Sequence, residues 1–300
     1  MDRMRQLAVF LAVIVVASAC LTACDGKSAG GRLRVVAAEN FWGDLASQVG
    51  GSDVEVTSLI SNPSADPHEY QPSRTAQLRV ATADVVILNG ADYDPFMTRL
   101  LDSSPSSHRR VIDVAKLVGD TGSDANPHLW YDLPALPQVL TAMSDAFTAA
   151  DFDHARDYKN GLHATLNRLA PLDHAVTSIA THYRGVPVAY TERVPGDLLD
   201  AAALTVVTPP GFARSIEAGT EPSFADIAAM RDVITQHRAK VLLYNSQATS
   251  PVTQQLQSLA RVNGVPVVPI TETMPVDHTY ESWQLSQVHA LARALGEATR

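Results

Sequence analysis

The chain has 300 residues, 46% hydrophobic and 18% charged, a globular make-up whose length predicts two domains of ordinary size, each able to bury its own core. The formal net charge of −9 argues against nucleic acid, which calls for a basic face, and suits cations as partners.

The first 24 residues differ from the rest. Arg3 and Arg5 form a basic start, residues 7–19 form an apolar run too short for an ordinary membrane-spanning helix, and Leu21-Thr22-Ala23-Cys24 closes it, which is the pattern of a signal peptide. Those four residues resemble the lipobox of bacterial lipoproteins, in which the cysteine becomes the first mature residue and carries the lipid. Cys24 fits that pattern better than Cys20, which follows Ala17-Ser18-Ala19. The resemblance implies removal of residues 1–23 and a lipidated Cys24, leaving no thiol and no disulfide; the plainer alternative is a secretory signal cut near Ala23. Residues 24–32 then read as the lipidated cysteine and a flexible Gly/Ser-type tether.

From Leu33 onward, short β-rich runs alternate with amphipathic stretches. Strands are expected over 33–38, 54–60, 84–88 and 111–114, with helices over 41–49 and 73–81, the second opening on Ser73 as N-cap after Pro72. Strand, helix, strand at this spacing predicts parallel βαβ units, whose ligands bind outside the carboxyl ends of the strands. A helix over 136–149 and a long helical stretch over about 151–183, interrupted by Pro171, lead to Arg184-Gly185. A second alternating region follows, with strands over 186–190, 204–207, 241–244 and 265–268 and helices over 223–237, 251–263 and about 280–295. The expected fold is α/β: two lobes with parallel-rich sheets, residues 33–150 and 185–300, joined by a linking helix over 151–184, with no sequence repeat between the lobes.

Two of the ten histidines stand directly after a proline, in Asp66-Pro67-His68-Glu69-Tyr70-Gln71-Pro72 and Asn126-Pro127-His128-Leu129-Trp130. Proline fixes its own φ and pushes the preceding residue into an extended form, so each imidazole sits on a stiff loop. His68 and His128 suggest a metal, for which two neutral imidazoles and two carboxylates would balance a 2+ charge. The second lobe offers Glu192, just after the strand over 186–190, and Glu272, just past the strand over 265–268; taken alone, each reads better as a solvated loop glutamate, Glu192 paired with Arg193. Asp277 and His278 stand near enough to replace Glu272. His154, His163, His174 and His182 lack helical ligand spacing and read as solvent-facing.

Together these residues resemble the metal-binding solute receptors, lipoproteins of bacterial ABC transporters for zinc and manganese, from about Leu33 to the C-terminus. The first histidine segment matches the family's Asp-Pro-His-x-Tyr-x-Pro motif. The second, through Tyr131-Asp132, resembles Asp-Pro-His-x-Trp-x-Asp with Asn126 replacing the first aspartate. Leu88-Asn89-Gly90 with Tyr93, and Glu221-Pro222-Ser223, are further matches. The resemblance implies His68 and His128 as ligands, Glu192 where manganese-type members have glutamate, and Glu272 where aspartate is usual. It further implies a lipid-anchored, monomeric extracytoplasmic protein that takes one Zn²⁺ or Mn²⁺ in the interlobe cleft and delivers it to a membrane permease. A small tilt, not a wide hinge closure, is expected from the linking helix. Two rival expectations are a surface adhesin and, with no His-Glu-x-x-His helix to support it, a zinc hydrolase.

Overall fold

The central strand β1 (Leu33–Glu39) is apolar on both faces because helices cover both sides of its sheet: Leu33, Val35 and Ala37 enter one core, Val36 and Ala38 another. In this computed structural model, residues 31–62, 70–122 and 124–299 are described; the signal segment, Cys24 and His68 lie outside them. β1 pairs in parallel with β2 (Val54–Ile60) on one side and β3 (Val85–Leu88) on the other, and β3 pairs with β4 (Arg110–Asp113), giving the order β2-β1-β3-β4. The second sheet repeats that order as β6-β5-β7-β8, from β5 (Pro187–Tyr190), β6 (Thr205–Val206), β7 (Leu242–Asn245) and β8 (Val267–Ile270), again all parallel. The architecture thus repeats where the sequence does not. Each sheet has a switch point, between β1 and β3 and between β5 and β7, where a ligand crevice opens.

The helices of the first half are α1 (Asn40–Gly50), α2 (Arg74–Thr82), α3 (Pro95–Ser103), α4 (Val114–Val118) and α5 (Leu136–Ala150). Ser73 caps α2 as expected, its hydroxyl accepting from the Ala76 N–H. The linking helix α6 (Ala155–His182) runs unbroken through Pro171, which lies on its exposed side, while Leu169, Leu172, Val176 and Ile179 stay buried on either side of it. That packing outweighs the roughly 3 kcal/mol an interior proline costs. The second half adds α7 (Gly196–Ala201), α8 (Pro210–Glu217), α9 (Phe224–Thr235), α10 (Pro251–Val262) and α11 (Tyr280–Ala298). The sequence reading lacks α3, α4, α7 and α8, which have nine residues or fewer, too few turns to set up a visible apolar period. β8 begins two residues later than expected: Pro266 has no N–H for the ladder, and Val265 instead packs into the core beneath. Among the described residues, no helix is long and apolar enough to cross a membrane.

The expected separate cores are modified. Each sheet keeps a private core on one face, around Val80, Val86 and Met97 in the first and around Met230, Ile234 and Leu256 in the second. The largest core is continuous through both, from Val35, Phe41 and Trp42 to Val241, Ile270 and Trp283, and Leu33–Arg300 forms one compact unit. At the joint Phe41 stacks on Trp130, with ring centroids 4.3 Å apart, and also meets Trp283 at 6.2 Å. Polar pins flank the stack: the Asn40 side chain exchanges hydrogen bonds with the Met274 backbone, and the Tyr280 N–H donates to Asp44 at 2.9 Å.

Helix α6 reaches this joint by backbone contact with α1. A Cβ on Gly161 would lie 2.1 Å from the Val49 carbonyl oxygen. Helix propensity alone would make Gly161→Ala stabilising by about 1 kcal/mol. The contact reverses that sign, so Gly161→Ala is expected to lose about 1–3 kcal/mol in urea unfolding; a stabilised variant would show that the helices separate freely.

Candidate metal centre

β5, β7 and β8 end side by side, and each end is pinned before it delivers a side chain. After β5, Thr191 accepts the Asn245 N–H on its hydroxyl at 3.0 Å, and Glu192 follows, 2% exposed. After β8, Thr271 is held three ways: its N–H donates to Gln287, its hydroxyl accepts from Trp283, and its carbonyl accepts from the Tyr131 hydroxyl at 2.8 Å. Glu272 therefore leaves a stiff mount and is also 2% exposed. Between them, at the end of β7, the Asn245 amide donates to Glu192 Oε2 and Glu272 Oε1, both at 2.6 Å. The Tyr93 hydroxyl donates to Glu272 Oε2 at 3.1 Å. Burial, reinforced by the Glu272 charge, raises the Tyr93 phenol well above its ordinary range, so it remains a donor.

The imidazole arrives from the first half. Pro127 and the one-turn helix Leu129–Tyr131 frame His128, and Asn89, just past β3, donates to the Pro127 carbonyl at 2.7 Å. The His128 ring is fully buried between Tyr93 and Trp130. Its Nδ1 lies 2.8 Å from Asn126 Oδ1; an amide oxygen can only accept, so Nδ1 carries a proton and Nε2 faces the glutamates. Nε2 is 4.0 Å from Glu192 Oε1 and 4.0 Å from Glu272 Oε2. Atoms bonded to one transition-metal ion at about 2.0–2.2 Å can be at most about 4.4 Å apart, so this spacing suits a common ion. Among the described residues, His128, Glu192 and Glu272 form the one group of this kind.

Acid surrounds the group further out. Glu39, at the end of β1, is fully buried; burial first, then the Asp94 charge, raises its carboxyl well above the usual range. Asp94 is pushed up to about 6 by burial, although it accepts the Asn89 and Gly90 N–H groups at 2.7 and 2.9 Å.

Three of the four expected site residues thus meet at the strand ends. His68 lies outside the described residues, although Tyr70 of the same motif packs on Phe96 with ring centroids 4.7 Å apart. Asp277 and His278 are exposed and stand apart from the group, as do His154, in the turn before α6, and His163, His174 and His182 on α6. Sequence reasoning missed Asn245 and Glu39. Both sit at the last position of a strand, on the carboxyl edge where a site was expected, and a polar residue there is the signal that would have found them.

Comparison with known proteins agrees with this architecture. The family model described as "Zinc-uptake complex component A periplasmic", ZnuA, matches residues 35–294. The manganese-binding lipoprotein MntA of Bacillus subtilis is 29% identical over 159 residues, 50% of this chain, and the match spans about half of that relative, 52% of its length. Two solved structures share the fold: the substrate-binding protein FpvC of Pseudomonas aeruginosa in complex with Ni²⁺, at a TM-score of 0.74 and 23% identity over 89% of this chain and 98% of its own, and the periplasmic zinc-binding protein TroA of Treponema pallidum, at 0.76 and 18% over 88% and 99%. With a family model covering nearly all of the folded part and both sheets, the helix and the strand-end group in the matching region, the chain belongs to the ZnuA family.

Proposed function

We propose that this protein is an extracytoplasmic receptor that captures one divalent transition metal, Zn²⁺ or Mn²⁺, and delivers it to the permease of an ABC transporter. The observation that carries the reading is the meeting of His128 Nε2 with Glu192 and Glu272 at 4.0 Å, buried, with one ligand from the first half and two from the second. Two carboxylates and an imidazole withdrawn from water are costly unless a cation joins them. His68, which follows β2 in the sequence, is the fourth ligand in this reading; two neutral imidazoles and two carboxylates then leave a 2+ ion electrically balanced. Four protein donors give no open position for water, so the site holds an ion and does not catalyse. The names of relatives support either metal: MntA is called manganese-binding and TroA zinc-binding. For a given N/O donor set Zn²⁺ binds more tightly than Mn²⁺, so discrimination between them falls to supply.

In this reading Cys24 carries the lipid that keeps the receptor at the membrane. More than one acyl chain is needed, since a single chain anchors only marginally. Release follows from the joint: with one core shared between the halves, a small tilt that shifts the ligands of one half suffices to weaken the site.

The purified chain, titrated with Zn²⁺ and Mn²⁺ in competition and read by mass spectrometry, is expected to hold one ion, zinc in preference. His128→Ala, Glu192→Ala and Glu272→Ala should each weaken binding by about 100-fold or more, being ligands. Stoichiometric, wild-type-like binding in any of the three would remove that residue from the site, and His68→Ala puts the fourth ligand to the same test. Tyr93→Phe takes the hydroxyl donor from Glu272 and is expected to weaken zinc by about tenfold, at the low end for a ligand-supporting contact. Zinc at about a hundred times its Kd should stabilise the wild type by about 2.7 kcal/mol, and the same zinc concentration should stabilise Tyr93→Phe measurably less.

A further inference from the structure

One amide joins the two halves of the centre. The Asn126 side chain uses both ends: Oδ1 accepts from His128 Nδ1 at 2.8 Å, while Nδ2 donates to Asp197 Oδ2 at 2.9 Å and to the Arg193 carbonyl at 3.3 Å. Arg193 directly follows Glu192, and Asp197 lies in the first turn of α7, which the same segment opens. The contact is tight, since a Cβ on Gly196 would stand 3.0 Å from Asn126 Nδ2. Arg193 holds the histidine loop from the other side. Its guanidinium donates to the Asp124 and Ala125 carbonyls at 3.1 and 3.3 Å and is fixed by two bonds to Glu217, at 2.7 and 2.6 Å.

An aspartate at 126 could do only half of this. It would still accept from His128, but it has no N–H for Asp197 and would set two carboxylates face to face at hydrogen-bond distance. Asp197 has little tolerance for that. Burial, with the Asp132, Asp120 and Asp200 charges adding to it, already raises its carboxyl to about 7, and the Asn126 bond is what acts in the opposite direction. The asparagine and Asp197 therefore form a matched pair.

We propose that Asn126 is a positioning residue that couples the His128 loop to the Glu192 segment through Asp197, and that this link sets how tightly the centre holds its ion and how fast it lets go. The proposal rests on the reading of His128 and Glu192 as ligands. A residue that merely supported the His128 ring would need the acceptor oxygen alone, so the two roles give opposite results when that oxygen is kept and the N–H removed.

The experiment compares wild type, Asn126→Asp, Asp197→Asn and the double variant as full chains in detergent at pH 8, where Asp197 is ionised. Zinc affinity is read by chelator competition and zinc release by stopped flow. Asn126→Asp is expected to weaken zinc by about 10- to 100-fold and to speed release, as loss of a contact behind a ligand does. The double variant should return to within about threefold of wild type, because the asparagine at 197 now donates to the aspartate at 126. Asp197→Ala leaves both His128 and Asn126 in place and should still speed release about threefold or more, which keeps the test open if Asn126→Asp does not fold. The thermal midpoint of the metal-free proteins separates loss of fold from loss of grip. Wild-type affinity in Asn126→Asp, a double variant no better than that single one, or wild-type release in Asp197→Ala would overturn the coupling. Failure of the underlying reading looks different: wild type would bind no zinc, or His128→Ala would bind it as well as wild type.

Discussion

Glu192 and Glu272 are both buried and both hydrogen-bonded by the same Asn245 amide, and much of the surrounding structure follows from holding two carboxylates so close together. Two negative charges out of water repel each other and lose their hydration, so the chain must supply donors and must leave room for a cation. The donors come from two directions, Asn245 from β7 and Tyr93 from beyond β3, while the Gln247 side chain accepts the Glu272 and Thr273 N–H groups and so fixes the backbone rather than the charge. None of them is a cation. In the proposed reading the positive charge is left for an ion, to which His128, with a proton held on Nδ1, would turn Nε2.

Much of this was legible in the sequence, and the part that was not has a physical reason. Proline before a histidine and glutamate just past a strand are local facts, and His128, Glu192 and Glu272 could be picked from them. β1 could be read from its apolar run, since a strand buried on both faces shows itself in that way, and the edge strand β2 from Val54 and Val56 alternating with Glu55 and Thr57. Asn245 carries a local sign of its place, a polar residue ending an apolar strand, but its role as a shared donor does not show locally, because it stands between two residues 53 and 27 positions away in the chain. The shared core was hidden for the same reason: Phe41, Trp130 and Trp283 look like core residues wherever they lie, and only the fold puts them in one stack. The same holds for the matching order of the two sheets, which is a property of backbone topology and leaves no sequence repeat behind.

That stack also limits how the halves can move. Opening the centre widely would expose Phe41, Trp130 and Trp283 together, and burial of one large aromatic side chain is worth about 1.5–3 kcal/mol. It would also break the Asn40–Met274 and Tyr280–Asp44 contacts. Motions that leave the stack intact are rotations of a few residues at strand ends, where Glu192 and Glu272 stand. A centre built from one half's imidazole and the other half's carboxylates is sensitive to such small shifts, since 4.0 Å is already near the largest spacing one ion can bridge.

Glu39 completes the charge argument. It ends the central strand of the first sheet, fully buried, with Asp94 beside it and Tyr93 within electrostatic reach, and among the described residues neither of its oxygens meets a donor from another side chain. Burial raises its carboxyl well above the ordinary value, so the folded protein favours the protonated form over a wider pH range than the unfolded chain does. The linkage has a definite sign: the stability contributed by holding that proton is present at low pH and is lost as pH rises through the raised folded value, so an ionised Glu39 is a burden on the fold. A neutral Glu39 leaves the charges of Glu192 and Glu272 as the pair that a 2+ ion cancels; an ionised one would add a third negative charge with no partner. Burial of Glu39 thus biases this acid-rich edge towards two negative charges rather than three, the number that a single 2+ ion would balance.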